Sequence, residues 1–445
     1  MQDRPNAPHR RSALPRMHRL AAALGMALSV LVPAQAQSLA QLYETARSYD
    51  AAYRSAQLQY EATVAKAEQS RAGILPTVGL AAQISRTAID ANVPIPSKAF
   101  GTQGASISAS QPLYRPANRL TYEQGKKSLI AGQAQLETAE QDLIVRLSQA
   151  YFDVLAARDG VTFIEAQKTA VAEQLAAAKR NFEVGTSTIT DTREAQARFD
   201  LVRAQEIAAD NDLRVKQLAL NQLVGRDGIT PKPPAVLPLD VNAWVNQAVD
   251  LHPLVRQATV ALEVAQLETR KAQAGERPTV DLTGSYAMNH NDGTASSRLD
   301  SRTNVASIGV SLNFPLFAGY AIQNRIKETL ALEEKARSDL DTVRRSVSQA
   351  TRAAYFGVLS GQGQAQALEA AEASSQSSLD ANKLGYQVGV RINIDVLNAQ
   401  SQLYQTKRDL ARARYDVLVG GLRLRQANGS LTASDLQGIE AILAK

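Results

Sequence analysis

Two hydrophobic periods alternate along this chain. Val78, Leu80, Ala82 and Ile84 alternate with Thr77, Gly79, Gln83 and Ser85, and Ala105, Ile107 and Ala109 alternate with three serines. Farther on, Val280, Leu282, Gly284, Tyr286 and Met288 form one such series, and Ala306, Ile308, Val310, Leu312 and Phe314 another. A period of two predicts β-strands with one apolar face, and about ten residues cross a bilayer when tilted. After each pair the period becomes helical. Leu136, Leu143, Leu147, Ala150 and Val154 stripe a helix predicted from Pro116 to about Asn181. Leu340, Val343, Val347, Ala354 and Val358 stripe another, from Gly319 to about Leu384. At 1.5 Å per residue each is roughly 100 Å long, far beyond a globular helix. Shorter helices are predicted at 38–48, 50–71, 191–223 and 394–426, with one more capped by Asp240 and broken at Leu251-His252-Pro253.

These elements occur twice. Ala72-Gly73 and Pro76-Thr77-Val78 recur as Ala274-Gly275 and Pro278-Thr279-Val280. Pro112-Leu113-Tyr114 recurs as Pro315-Leu316-Phe317, and Ala150-Tyr151-Phe152 as Ala354-Tyr355-Phe356. The near-constant offset predicts repeat one over 38–225 and repeat two over 240–428. A proline-rich linker lies between them at 226–239 and a tail follows at 429–445. Each repeat reads helix, strand, strand, long helix, tip, helix. Four strands per chain are too few to close a membrane barrel, whose smallest examples have about eight, so closure demands several chains.

Both long helices end in one pattern: Phe182, Val184 and Gly185 leading to Asp191, and Tyr386, Val388 and Gly389 leading to Asp395. Gly185 and Gly389 fit the left-handed residue just beyond a helix end, and Asp191, with Glu194 three residues on, fits the N-cap of the next helix. Asp395 reads the same way. Each copy is therefore predicted as the tight tip of a helical hairpin.

Composition narrows the compartment. Arg10, Arg11, Arg16 and Arg19, an apolar run over 20–32 and Ala34-Gln35-Ala36 make residues 1–36 a signal peptide. Five arginines and one aspartate there carry +4 of the formal +6, leaving +2, so nucleic-acid binding has no electrostatic support. No cysteine is present, and no phosphate loop or nucleophile–base pair appears, so no cofactor and no catalysis are expected. His252 reads as a surface turn residue and His290 as part of a polar loop. The connections at 90–101 and 290–302 read as flexible loops facing the cell exterior.

The stretch Gly385-Tyr386-Gln387-Val388-Gly389-Val390-Arg391-Ile392-Asn393-Ile394-Asp395-Val396-Leu397-Asn398-Ala399 resembles the periplasmic tip of TolC-type outer-membrane channel proteins. Asn181 to Gly185 with Ile189-Thr190-Asp191 resembles the other tip. The resemblance implies a homotrimer in the outer membrane: an α-helical barrel in the periplasm, continued by a twelve-stranded β-barrel with four strands per chain. It implies export of small compounds or a secreted polypeptide, with a periplasmic adaptor and an inner-membrane pump or ABC transporter as partners. Asp395 and Asn398 match the pore constriction, where the family carries two acidic rings and this chain only one. Thr190, Asp191, Tyr386 and Arg391 match the latch that holds the entrance shut, through an Arg391–Asp191 pair and a Tyr386 hydroxyl donating to Asp191. The open alternative is a periplasmic coiled-coil adaptor or a structural or adhesin protein.

Overall fold

A computed structural model describes residues 38–90, 98–226, 229, 252–293 and 299–437. The expected signal peptide, nearly all of the linker and the helix capped by Asp240 lie outside the described residues. Helix α1 (Leu39–Tyr49) opens with a capping box between Ser38 and Gln41. Helix α2 (Ala51–Arg71) opens on Asp50, whose carboxylate accepts from the Tyr53 amide at 2.7 Å. Strands β1 (Thr77–Ile89) and β2 (Lys98–Tyr114) follow, then α3 (Pro116–Glu183) and α4 (Ile189–Val224). The second series is α5 (Pro253–Ala274), β3 (Thr279–Asn291), β4 (Ser301–Asn313), α6 (Ala321–Gln387) and α7 (Asn393–Asn428). With 68 and 67 residues, α3 and α6 are each roughly 100 Å long.

The strands are longer than their alternation showed. They run through Gly101, His290 and Arg302, which had read as loop, because polar residues at the far end keep pairing after the apolar ones stop. All neighbours are antiparallel in the order β1-β2-β3-β4. Register puts every apolar series on one face: Leu80 lies opposite Ile107, Ile107 opposite Tyr286, and Tyr286 opposite Ala306. Serines and threonines line the other face, where Ser285 and Ser307 share a 2.8 Å hydrogen bond. The apolar face is uncovered, with Leu80 80% and Ile308 82% exposed. Among the described residues, both edge strands, β1 and β4, end the sheet without a further partner.

Below the sheet, α2, α3, α5 and α6 stand side by side in that order. Glu268 on α5 ties three of them: Gln124 of α3 donates at 2.9 Å and Arg325 of α6 at 2.8 Å. Burial pushes this carboxyl up, but those hydrogen bonds and Lys271 outweigh it and lower it to about 2. The main core lies lower, where α1, mid-α3, the end of α4 and the end of α7 meet around Leu147, Tyr151, Phe152 and Leu422. His252 belongs beside this region and is buried, not a surface turn. Its Nδ1 accepts from the Leu254 amide at 3.1 Å, which makes it the N-cap of α5.

Candidate functional site at the hairpin tips

At the lower end, α3 and α6 stop by the same device. Gly185 (φ +79°) and Gly389 (φ +80°) take the left-handed conformation. Thr186 N–H then bonds Asn181 C=O at 2.8 Å, and Val390 N–H bonds Gly385 C=O at 2.9 Å, the six-residue closure of a Schellman motif. Both glycines are as the sequence led us to expect.

The return helices start differently from each other and from expectation. Thr188, not Asp191, caps α4; Asp191 is the third helical residue and completes the capping box from the other side. Its Oδ2 accepts from Ser187 Oγ (2.7 Å), Thr188 Oγ1 (2.8 Å) and Thr188 N (3.0 Å). Burial acts to raise the carboxyl, and these donors bring it below the ordinary carboxylate value. In α7 the cap position is Ile392, which has no side-chain cap, and Asp395 sits three residues in. Arg391 lies over Gly385, where a Cβ would sit 2.7 Å from Arg391 Cγ, and its guanidinium is 3.7 Å from Asp395.

Two latch contacts expected from the sequence therefore have other partners within one chain. Arg391 faces Asp395, and the Tyr386 hydroxyl accepts from Asn181 Nδ2 at 3.2 Å. Thr190 is exposed in the first turn of α4. Asn398 is exposed as well, with its Oδ1 accepting from Arg198 at 2.5 Å.

The hairpins are joined by residues that sequence reasoning passed over. Buried Asn393 accepts from Gln174 and donates to the Asp191 carbonyl at 3.4 Å. Leu397, 0% exposed, enters the core of the α3–α4 hairpin beside Val171, Leu175 and Ala195. Its neighbour Val396 packs instead with Leu379 and Leu403 of its own hairpin. Adjacent apolar residues at the start of α7, aimed at two faces, were the available signal of a second partner.

The one His/Asp cluster among the described residues is at the opposite end of the molecule. His290 Nε2 faces Asp292 at 3.3 Å and Nδ1 faces Asp300 at 3.2 Å. Each of the three offers one ligand atom within 4.8 Å of the others, and both aspartates are exposed.

The family described as outer membrane efflux protein matches residues 42–226 and again 244–430. The chain belongs to that family. It is 32% identical over 430 residues to outer membrane protein TolC of Vibrio cholerae, covering 95% of this chain and 97% of that protein. To TolC of Escherichia coli it is 31% identical, covering 92% and 86%. Alkaline protease secretion protein AprF of Pseudomonas aeruginosa is 29% identical across 76% of this chain and 72% of its own. Among solved structures, the outer membrane protein VceC of Vibrio cholerae superposes with a TM-score of 0.75 at 19% identity, over 88% of this chain and 96% of that one. CusC superposes at 0.78 and 18%, over 88% and 92%. The protein is thus an outer-membrane channel of the kind used in efflux or type I secretion, with the helical-barrel and β-barrel fold of that family. The adaptor or adhesin alternative is not favoured.

Proposed function

We propose that three copies assemble into one conduit from the periplasm to the cell exterior, shut at rest by the hairpin tips. One observation carries the reading: a four-stranded sheet with an uncovered apolar band on one face and, among the described residues, two open edges. In a bilayer each unpaired backbone group on β1 or β4 costs several kcal/mol, so β4 of one chain must pair with β1 of the next. Three chains supply twelve strands. The helices offer the matching edges, because α2 and α6 flank the row and expose Leu58, Val64, Phe356 and Leu359.

The resting gate rests on Thr190, Asp191, Tyr386 and Arg391. Asp191 Oδ1 receives no hydrogen bond among the described residues, and the exposed Arg391 comes no nearer than 3.7 Å to Asp395. Both are open to a partner on the adjoining chain. Asp395 and Asn398 supply the constriction ring, with charge from Asp395 alone. A periplasmic adaptor and an inner-membrane pump or ABC transporter would open the tips and drive either small toxic compounds or a secreted polypeptide through. Native mass measurement in mild detergent should return trimers, and planar bilayers should show a small resting conductance. A well-behaved monomer inserted in lipid would end the proposal.

A further inference from the structure

At the seam between sheet and helices, a cleft of about 1040 Å³ opens between the end of β2, the first turns of α3 and the last turns of α5. Its charge is one-sided. Arg115, Arg119, Lys126, Arg270 and Arg277 line it against Glu123, and Arg115 is already paired with Asp281. Arg119 reaches Glu123 only at 4.0 Å, and Lys126 sits 4.6 Å over the Tyr122 ring. Arg270 and Arg277 are exposed and have no acidic partner among the described residues.

The cleft faces outward. On α3, Gly125 and Gly132 meet α2, whereas Gln124 and Lys127 reach α5. At 100° per residue these directions are roughly 130° apart on the side of Thr121 and Ser128, which makes that side the concave lumen wall. Arg119, Tyr122 and Lys126 lie on the convex side. Both walls come from one chain, from the two inner helices of the row α2, α3, α5, α6. Its upper rim is Leu113 and Tyr114, both exposed, where Tyr114 pairs with Val280 and continues the apolar face of the sheet.

We propose that this cleft binds the headgroup of an anionic phospholipid in the periplasmic leaflet of the outer membrane. Arg119, Arg270 and Arg277 take the phosphate, and the acyl chains run up over Leu113 and Tyr114. Arginine forks suit phosphate oxygens, and basic residues beside a membrane surface attract anionic lipid. The apolar rim is the feature that a site for free phosphate has no use for. The inference rests on the sheet lying in the membrane. A trimer that inserts into lipid but retains no anionic lipid separates its failure from that of the channel reading.

The purified trimer is titrated with dioleoylphosphatidylglycerol or dioleoylphosphatidylcholine and read by native mass spectrometry. Up to three phosphatidylglycerol molecules per trimer should be retained, and phosphatidylcholine should not. Arg119→Gln/Arg270→Gln/Arg277→Gln should weaken retention roughly a hundredfold. Removing three charges lower on the helices, by Arg345→Gln/Arg352→Gln/Arg412→Gln, should leave it unchanged. Equal retention of the two lipids, or equal losses in both triple variants, overturns the site. Displacement by millimolar inorganic phosphate overturns the lipid assignment in favour of a free-phosphate site.

Discussion

Arg115 closes a two-pronged ion pair on Asp281 across 166 residues of sequence, Nε to Oδ1 at 2.7 Å and Nη2 to Oδ2 at 2.6 Å. The pair fixes the start of α3 to strand β3 where the sheet turns into the helical wall. Asp281 is only 8% exposed, and among the described residues Arg115 is its one ion-pair partner. Arg115→Ala should cost about 2 kcal/mol, less than a fully buried pair because Arg115 itself is half exposed. Thermal unfolding of the trimer in detergent measures this. Asp281→Ala in the same background should recover part of the loss; a double variant worse than the single would show that the pair matters by packing alone.

His252 predicts a pH dependence with a definite sign. Burial lowers its pKa below the ordinary 6.5, against a smaller upward pull from the Gln426 backbone. Its Nδ1 must stay bare to accept from Leu254. The unfolded chain therefore binds a proton that the folded chain refuses, so stability is complete above about pH 6.5 and falls as pH drops below it. Asp50, Asp191 and Glu268 are lowered carboxyls, and their contribution is lost only farther down, below their ordinary values. His252→Asn keeps a capping side chain without the titration. It should flatten the melting temperature between pH 5 and 6.5 and leave the steeper acid limb in place.

The sheet and the tip glycines were legible in the sequence because each depends on near neighbours. A period of two names the apolar face of Leu80, Ile107, Tyr286 and Ile308 before any strand is paired, and only glycine sits easily at φ +79° in a helix end. The cap of α4 was half legible. Thr188 and Asp191 are both cap formers three residues apart, and where the Schellman turn releases the chain decides between them. His252 and Asn393 were not legible, since their burial comes from partners far along the chain. The Gly429 turn closes over His252, where a Cβ would sit 2.6 Å from its Cα, and Gln174 lies 219 residues before Asn393.

Leu397 should hold the two hairpins of a chain together. It is the one α7 side chain in the core of the α3–α4 hairpin, so Leu397→Ala opens a cavity between hairpins rather than within one. A buried Leu→Ala change costs about 3 kcal/mol. Here it should raise local opening on the order of a hundredfold while the trimer stays intact. Trypsin cleavage after Arg391, followed by mass spectrometry, reads that opening. Val396→Ala should loosen the α6–α7 hairpin internally instead, and equal cleavage in both variants would refute the division of labour between these neighbours.

The gate itself offers the most direct test. Tyr386→Phe removes the acceptor for Asn181, worth about 1 kcal/mol per chain for an ordinary hydrogen bond. Three symmetric copies multiply to about 3 kcal/mol, on the order of a hundredfold in the closed-to-open ratio. Arg391→Ser adds little within the chain, because its 3.7 Å pair with Asp395 is exposed. If it also bridges to Asp191 of the adjoining chain, the double variant should exceed the single by far more than that exposed pair allows. Single-channel conductance in planar bilayers should therefore rise with Tyr386→Phe and rise again with both changes, while native mass still reports trimers. Asn181→Ala should match Tyr386→Phe, since it deletes the same bond from the other side. Asp395→Ala should separately weaken block by multivalent cations, and Asn398→Ala should not, because Asn398 carries no charge and its oxygen is held by Arg198. A double variant that conducts like the parent would place the latch elsewhere and leave Asp191 as no more than the far half of the Thr188 capping box.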